Sequence, residues 1–334
     1  MRLLAPLCVA AALLLGAWPS QARDLRISHQ WPEGTDARDR AVRVFAKEVE
    51  RHSPELKLRI YPRLALNIPA EKQFDALQSG ELDMCICVPT YSVGKVPEFS
   101  LAVLPGLYPS LDAVGSLRGS KLIEHMQSVA NRNGVHILTW WWVPGGIVTR
   151  NREIAGPETV KGLRLRSGDR LFDLMLSEAG AIPVTMTSDR LHAAMKSGEI
   201  DGTLTSYETF VSTKIYEHAK FFTAGSPGIW MILNSLMISK KVWDDLSEEQ
   251  RAAFETAARL SEDDFAGAQH DAEDRFVAAF TKAGAKGRRF EREEYFAWLR
   301  LAQKTAWAEY LAISPETKTM LYDTIDTMLA KDIR

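Results

Sequence analysis

The stretch GLRLRSGDRLFDLMLSEAGAIPVTMTSDRLHAAMKSGEIDGTLTS, residues 162–206, holds three strand-like runs separated by two helical ones. Gly162–Ser167 alternates apolar and polar residues, Arg170–Glu178 has helical spacing, Ile182–Met186 reads as a strand, Leu191–Ser197 as a helix, and Gly202–Ser206 as a strand. Strands that alternate with helices imply a largely parallel sheet wrapped by helices. The same order occurs upstream. Leu25–His29 and Lys57–Tyr61 read as strands, and between them Ala37–Arg51 spaces its apolar residues as a helix does, after Asp36 as cap. Pro69 opens a helix that closes near Gly80, and Leu82–Val88 is a strand of the kind buried on both faces. A helix over 111–132 and a strand over 135–142 complete this half, so the pattern predicts two α/β lobes.

The last quarter is helical. Ser247-Glu-Glu-Gln250 fits a capping box, and the apolar spacing that follows reaches about Lys282. A helix of that length is on the order of 50 Å long at 1.5 Å per residue, so it should cross both lobes, with Gly267 as the place where it bends. Two further helices are expected at about 291–310 and 315–329.

Residues 1–22 read as a leader. Arg2 precedes the apolar run Leu3–Trp18, and Ser20-Gln21-Ala22 offers the small residues of a cleavage site. The run is short of the roughly 20 residues a spanning helix needs. Cleavage would leave a periplasmic chain starting at Arg23. There, Cys85 and Cys87 are one residue apart on a strand, expected as two small buried residues too close along the backbone for an unstrained disulfide. Lys and Arg total 41 against 43 Asp and Glu, a formal charge of −2, so no clustered basic excess marks the chain for nucleic acid.

Enzyme fingerprints are missing. The 334 residues contain no nucleotide-binding glycine loop, no His-Glu-x-x-His and no Gly-x-Ser-x-Gly elbow. The seven histidines are dispersed, none three or four residues from another as ligands on one helix would be. No enzyme, cofactor or metal is expected.

An ordered set of segments resembles the solute-binding proteins of tripartite ATP-independent periplasmic (TRAP) transporters, the C4-dicarboxylate-binding (DctP) type. It runs through Asp24–His29, Tyr61-Pro62, Gln73–Met84, Val96–Phe99, Gly162-Leu-Arg-Leu-Arg166, Gly180–Pro183, Gly198–Gly202 and Tyr216-Glu217. The resemblance implies a two-lobe periplasmic binding protein fold with hinge-crossing strands and a long helix spanning both lobes. The lobes are expected over 23–143 with 232–270 and over 144–231 with 271–334. It also implies closure over a small organic acid and delivery to the small and large subunits of a membrane permease; a monomer is expected. A protein that presents its ligand to a sensor kinase is the alternative role.

Arg166 is the expected anchor. It lies at the carboxyl end of its strand, where open α/β sheets place their ligand crevice, and a guanidinium grips a carboxylate with two parallel hydrogen bonds. In similar proteins the last arginine of this motif holds the ligand carboxylate. The other expected contacts are Gln30, Trp31, Val88, Trp142, Thr205, Tyr207, Trp230 and Asn234, the last as a second donor to the carboxylate. Val88, Gly146 and Thr205 stand where sialic-acid binders of the family carry a carboxylate, a second arginine and an asparagine. With the run Trp140-Trp141-Trp142, these departures favour a hydrophobic or aromatic monocarboxylate, with a C4-dicarboxylate as the alternative.

Overall fold

The computed structural model describes residues 23–225 and 228–332. The expected leader, with Cys8, lies outside them. Among the described residues no helix is long and apolar enough to cross a membrane.

The strands are β1 (Arg23–Ser28), β2 (Leu56–Tyr61), β3 (Met84–Cys87), β4 (Val135–Ile137), β5 (Trp141–Thr149), β6 (Arg164–Arg166), β7 (Ile182–Pro183), β8 (Gly202–Ser206), β9 (Phe221–Ala224), β10 (Met231–Ser239) and β11 (Lys286–Arg289). In the first lobe β2, β1 and β3 are parallel, and β10 runs antiparallel to β3 and β4. In the second, β6 is parallel to β7 and β8, while β5 runs antiparallel to β8 and β9. The sheets are therefore mixed, because β5 and β10 are shared. Residues 141–144 of β5 pair with 231–234 of β10, and each strand then continues into one lobe. Two strands cross between lobes, as the resemblance implies.

Two predicted elements are split for visible reasons. The strand expected over 135–142 breaks at Leu138–Trp140, where Leu236 N donates to the Thr139 hydroxyl (2.9 Å) and Trp140 N to Glu262 (2.9 Å) rather than to a neighbouring strand. The helix expected over 111–132 is two, Leu111–Gly115 and Lys121–Arg132, because Gly119 takes a positive φ of 70° between them. Cys85 and Cys87 share one face and are buried as expected, but their sulfurs are joined, which corrects the reading of two separate thiols.

The crossing helix begins where expected. Ser247 and Gln250 form the reciprocal capping box, and Glu248–His270 lays Phe254 against Phe45 of the helix Ala37–His52, ring centroids 5.5 Å apart. The interruption falls at Asp271 (φ −97°, ψ 4°), not at Gly267, which stays helical; Ala272–Lys282 then puts Phe276 and Phe280 into the second lobe. The chain next crosses back. Trp298 in the helix Arg292–Ala302 donates its indole N–H to Ala155 O (2.7 Å) of the second lobe. A π-helical turn, Gln303–Trp307, follows, and Trp307 and Tyr310 bond Pro105 O (2.9 Å) and Glu98 O (3.1 Å) of the first. The helix Pro315–Asp332 pairs Asp323 with His125 (2.9 Å) and Glu316 with Arg132 (2.6 Å). Residues from the end of the π turn onward thus bond to residues 98, 105, 125 and 132, on the side of β1–β4.

Replacing Ser247 by alanine removes the cap at the start of the crossing helix and should lower stability by about 1 kcal/mol in chemical denaturation. An unchanged midpoint would mean that the cap contributes nothing.

Candidate functional site

The deep part of the inter-lobe cleft lies at the carboxyl ends of β3, β6 and β8. It is a cavity of about 20 Å³ lined by residues from both lobes, among them Trp31, Tyr91, Arg166, Ser188, Thr205 and Asn234.

Arg166 is 2% exposed. Its Nε donates to Met186 O (2.9 Å), and its two terminal nitrogens donate to Leu204 O (3.3 Å) and to the Tyr91 hydroxyl (3.2 Å). All three acceptors are neutral. Among the described residues no carboxylate lies within ion-pair distance of this guanidinium, so a buried positive charge is held in place without being neutralised. Arg164, two residues earlier, instead pairs with Asp201 at 2.7 Å near the surface. Tyr91 comes from the other lobe and also accepts from Ser188 N (2.9 Å), so its own O–H is not needed for either bond. Gly168 (φ +88°) is required here, because a Cβ on it would lie 2.7–2.9 Å from the Arg166 guanidinium.

A second buried arginine, Arg38, shows the opposite electrostatics. Asp36 takes it in a bidentate pair, Nε to Oδ1 (2.7 Å) and Nη2 to Oδ2 (2.8 Å). Its remaining donors bond Asn234 Oδ1 (3.0 Å) and Thr209 (2.9 Å), and its plane lies over Trp31 at 4.0 Å. Burial pushes the Asp36 carboxyl up, but the charge and hydrogen bonds of Arg38 outweigh it and hold Asp36 below the usual carboxylate range. The group also ties the lobes together: Ala37 N donates to Glu208 (2.7 Å) and the Ser212 hydroxyl to Asp36 (2.7 Å). On the far side of the cavity the Thr90 hydroxyl donates to Gly168 O (3.0 Å) and the Ser100 hydroxyl to Asp169 (3.0 Å). These contacts describe a closed cleft.

Six of the nine expected residues line this cavity: Trp31, Val88, Arg166, Thr205, Trp230 and Asn234. Since Asn234 gives its oxygen to Arg38, its amide nitrogen remains the donor, bonded weakly to Leu233 O at 3.3 Å. Three do not line it. Trp142 packs on Tyr108, centroids 4.5 Å apart, and faces a separate groove, because odd and even positions of β5 point to opposite sides. Tyr207 follows the cap Ser206, and the turn into the helix Tyr207–Ser212 sends its ring onto Phe276 (4.8 Å) in the second-lobe core. Gln30 is buried outside the cavity, its Oε1 without a partner among the described residues. Sequence reading missed Arg38, Tyr91, Ser188 and Thr209. The indole N–H groups of Trp31 and Trp230 are buried with no acceptor among the described residues, two donors unused by the protein.

Residues 27–312 match the bacterial extracellular solute-binding protein family 7, DctP. The chain belongs to this family. It is 35% identical over 298 residues to a solute-binding protein of Albidiferax ferrireducens, covering 87% of this chain and 88% of that one. A solved TRAP periplasmic solute-binding protein of Rhodoferax ferrireducens with bound malonate is 34% identical and superposes with a TM-score of 0.88, covering 92% of this chain and 99% of that one. The C4-dicarboxylate-binding periplasmic protein DctP of Rhodobacter capsulatus is 22% identical over 93% of this chain and 91% of its own. The family consists of periplasmic receptors, not enzymes, which bind small organic acids for TRAP membrane permeases.

Two carboxyls behind Arg166 are protonated unusually easily. Burial raises Asp169 to about 6 despite hydrogen bonds from Phe172 N and the Ser100 hydroxyl, and it raises Asp173 to about 6 despite Ser167 and the nearby Arg166 charge. A carboxyl whose folded value exceeds its unfolded one binds more protons when folded, so stability should fall as pH rises from about 4 to about 6. Asp173→Asn should flatten that slope, which amounts to roughly 2–3 kcal/mol at most for one group; denaturation series across this window test it, and an unaltered slope would contradict the assignment. Gly168→Ala should leave the chain folded yet weaken binding of its acid at least about tenfold in calorimetry, since the new methyl displaces the guanidinium. Unchanged affinity would show that the close approach does not matter.

Proposed function

We propose that this receptor binds a compact organic monocarboxylate between its lobes and presents it to a TRAP permease in the closed form. The observation that carries this reading is the Arg166 guanidinium, buried and, among the described residues, without a carboxylate within ion-pair distance. A ligand carboxylate completes it with two charge-assisted hydrogen bonds, and the Tyr91 hydroxyl and the Asn234 amide nitrogen are placed to donate as well.

Charge counting supports one carboxylate rather than two. Arg38 is already neutralised by Asp36, so a second ligand carboxylate would meet no free cation among the described residues lining the cavity. Trp31 and Trp230 provide the flat apolar walls that a hydrocarbon or aromatic body needs. The close apposition of the two lobes, bridged by Arg166–Tyr91 and Thr90–Gly168 contacts, favours a body of a few carbons, and the hydroxyls of Ser188, Thr205 and Ser206 favour one that also carries an oxygen acceptor. The unused indole N–H groups favour the same. Malonate, held by the relative from Rhodoferax ferrireducens, has this size but two acid groups, which makes it the informative comparison.

Calorimetry against lactate, pyruvate, pyroglutamate, malonate, succinate, benzoate and phenylacetate tests the proposal. The compact hydroxy, oxo or lactam monocarboxylates should bind tightest. A preference for malonate or succinate would overturn the charge count, and a preference for benzoate or phenylacetate would overturn the size limit. For the best ligand, Arg166→Ala should lower affinity by about two to three orders of magnitude, or about 3–4 kcal/mol. Retained affinity would remove Arg166 from its role.

A further inference from the structure

On the surface of the second lobe, away from the cleft, three side chains converge that the acid-binding reading does not use. His192 lies on the helix Leu191–Ser197, and Glu217 and His218 lie on the turn that follows Lys214. His192 Nε2 is 3.2 Å from Glu217 Oε2 and 3.2 Å from His218 Nε2. The turn is firmly set, since Lys214 takes a left-handed conformation (φ 58°) and Ile215 is fully buried. Among the described residues this is the one group of three His, Cys, Asp or Glu side chains whose ligand atoms all lie within 4.8 Å of one another.

We infer that His192, Glu217 and His218 form a binding site for a divalent transition-metal ion of the zinc type. Protons alone serve the cluster poorly. A hydrogen on His192 Nε2 can point at Glu217 or be shared with His218, and the facing nitrogen of His218 must then be bare. One cation at their common centre takes a lone pair from each of the three atoms at once. Ligands about 2.0–2.1 Å from a tetrahedral zinc lie about 3.3 Å from each other; the two separations from His192 Nε2 are 3.2 Å, and the Glu217 and His218 atoms lie within 4.8 Å of each other, so a small rotation of one side chain completes the site. Two imidazoles and a carboxylate suit zinc, nickel or copper better than calcium or magnesium, which prefer oxygen. The side chains of His192 and Glu217 are 37% and 46% exposed, so the fourth position opens to water. Lys196, Lys214 and Arg150 lie near enough to oppose a cation and limit its affinity. The dispersed histidines had argued against a metal, but ligands 26 residues apart on two elements leave no spacing signature in the sequence.

The test uses the mature chain and Zn²⁺ alone. Competition with a chromophoric chelator should show one ion per chain, bound in the micromolar range or tighter, and Co²⁺ should give the intense visible bands of a tetrahedral site. His192→Ala, Glu217→Gln and His218→Ala should each weaken binding at least about tenfold, and the double histidine variant should abolish it. Zn²⁺ should raise the melting temperature of the parent chain but not of the double variant. Glu217→Gln keeps shape and both histidines, so it gives a reading even if a histidine variant folds poorly. No uptake by the parent chain, or equal uptake by the double variant, would overturn the site.

Discussion

A buried guanidinium without a carboxylate in direct contact is unfavourable, and among the described residues Arg166 is in that condition, with Asp173 near but outside ion-pair distance. Two arginines lie within the cleft, equally hidden from water. Asp36 neutralises Arg38, which becomes a rigid part of the wall that orients Asn234 and supports Trp31. Arg166 is bonded only to carbonyls and a hydroxyl, which fix its plane and leave its charge uncompensated. The same side chain is ion-paired in one place and bonded to neutral acceptors in the other, and the difference is the Asp36 carboxylate. Gly168 belongs to this arrangement, since the guanidinium occupies the space a side chain there would fill.

Much of the architecture was legible because periodic patterns report local structure. The run from 162 to 206 folds as read, apart from a shorter second strand, and the cap at Ser247 starts its helix where the motif places it. The position of Arg166 at the cavity wall was legible from its place at the end of a strand. Its partners were not. Tyr91, Ser188, Arg38 and Thr209 come from turns and helix starts scattered over 170 positions, and no spacing rule links them. Alternation along β5 says that Trp140 and Trp142 share a side but not which side meets the cleft. Tyr207 stands one residue past a cap, where the change from strand to helix redirects the side chain. The breaks at Leu138–Trp140 and Asp271 depend on tertiary partners or a local turn that the apolar pattern alone does not encode.

The closed cleft is held by two sets of polar contacts on opposite flanks. One joins Asp36, Ala37 and Arg38 to Glu208, Thr209 and Ser212; the other joins Thr90, Tyr91 and Ser100 to the loop after β6 and to Ser188. Both sets are built from residues that line the cavity or adjoin it. Arg38, Tyr91, Ser188 and Thr209 both line the cavity and take part in these inter-lobe contacts, so on the proposed reading a bound acid and the apposed lobes share these four side chains.

Four stretches of backbone pass from one lobe to the other, and the two helical ones share a property. The first is interrupted at Asp271, and the second passes through the π-helical turn Gln303–Trp307. Irregular turns are where a helix yields most easily, because their hydrogen-bond ladder is already broken or stretched. The paired strands resist shearing within their own plane but can flex perpendicular to it. Each helical link between the halves therefore carries its own break in the regular ladder, whereas the strand link is continuous and paired over residues 141–144 and 231–234.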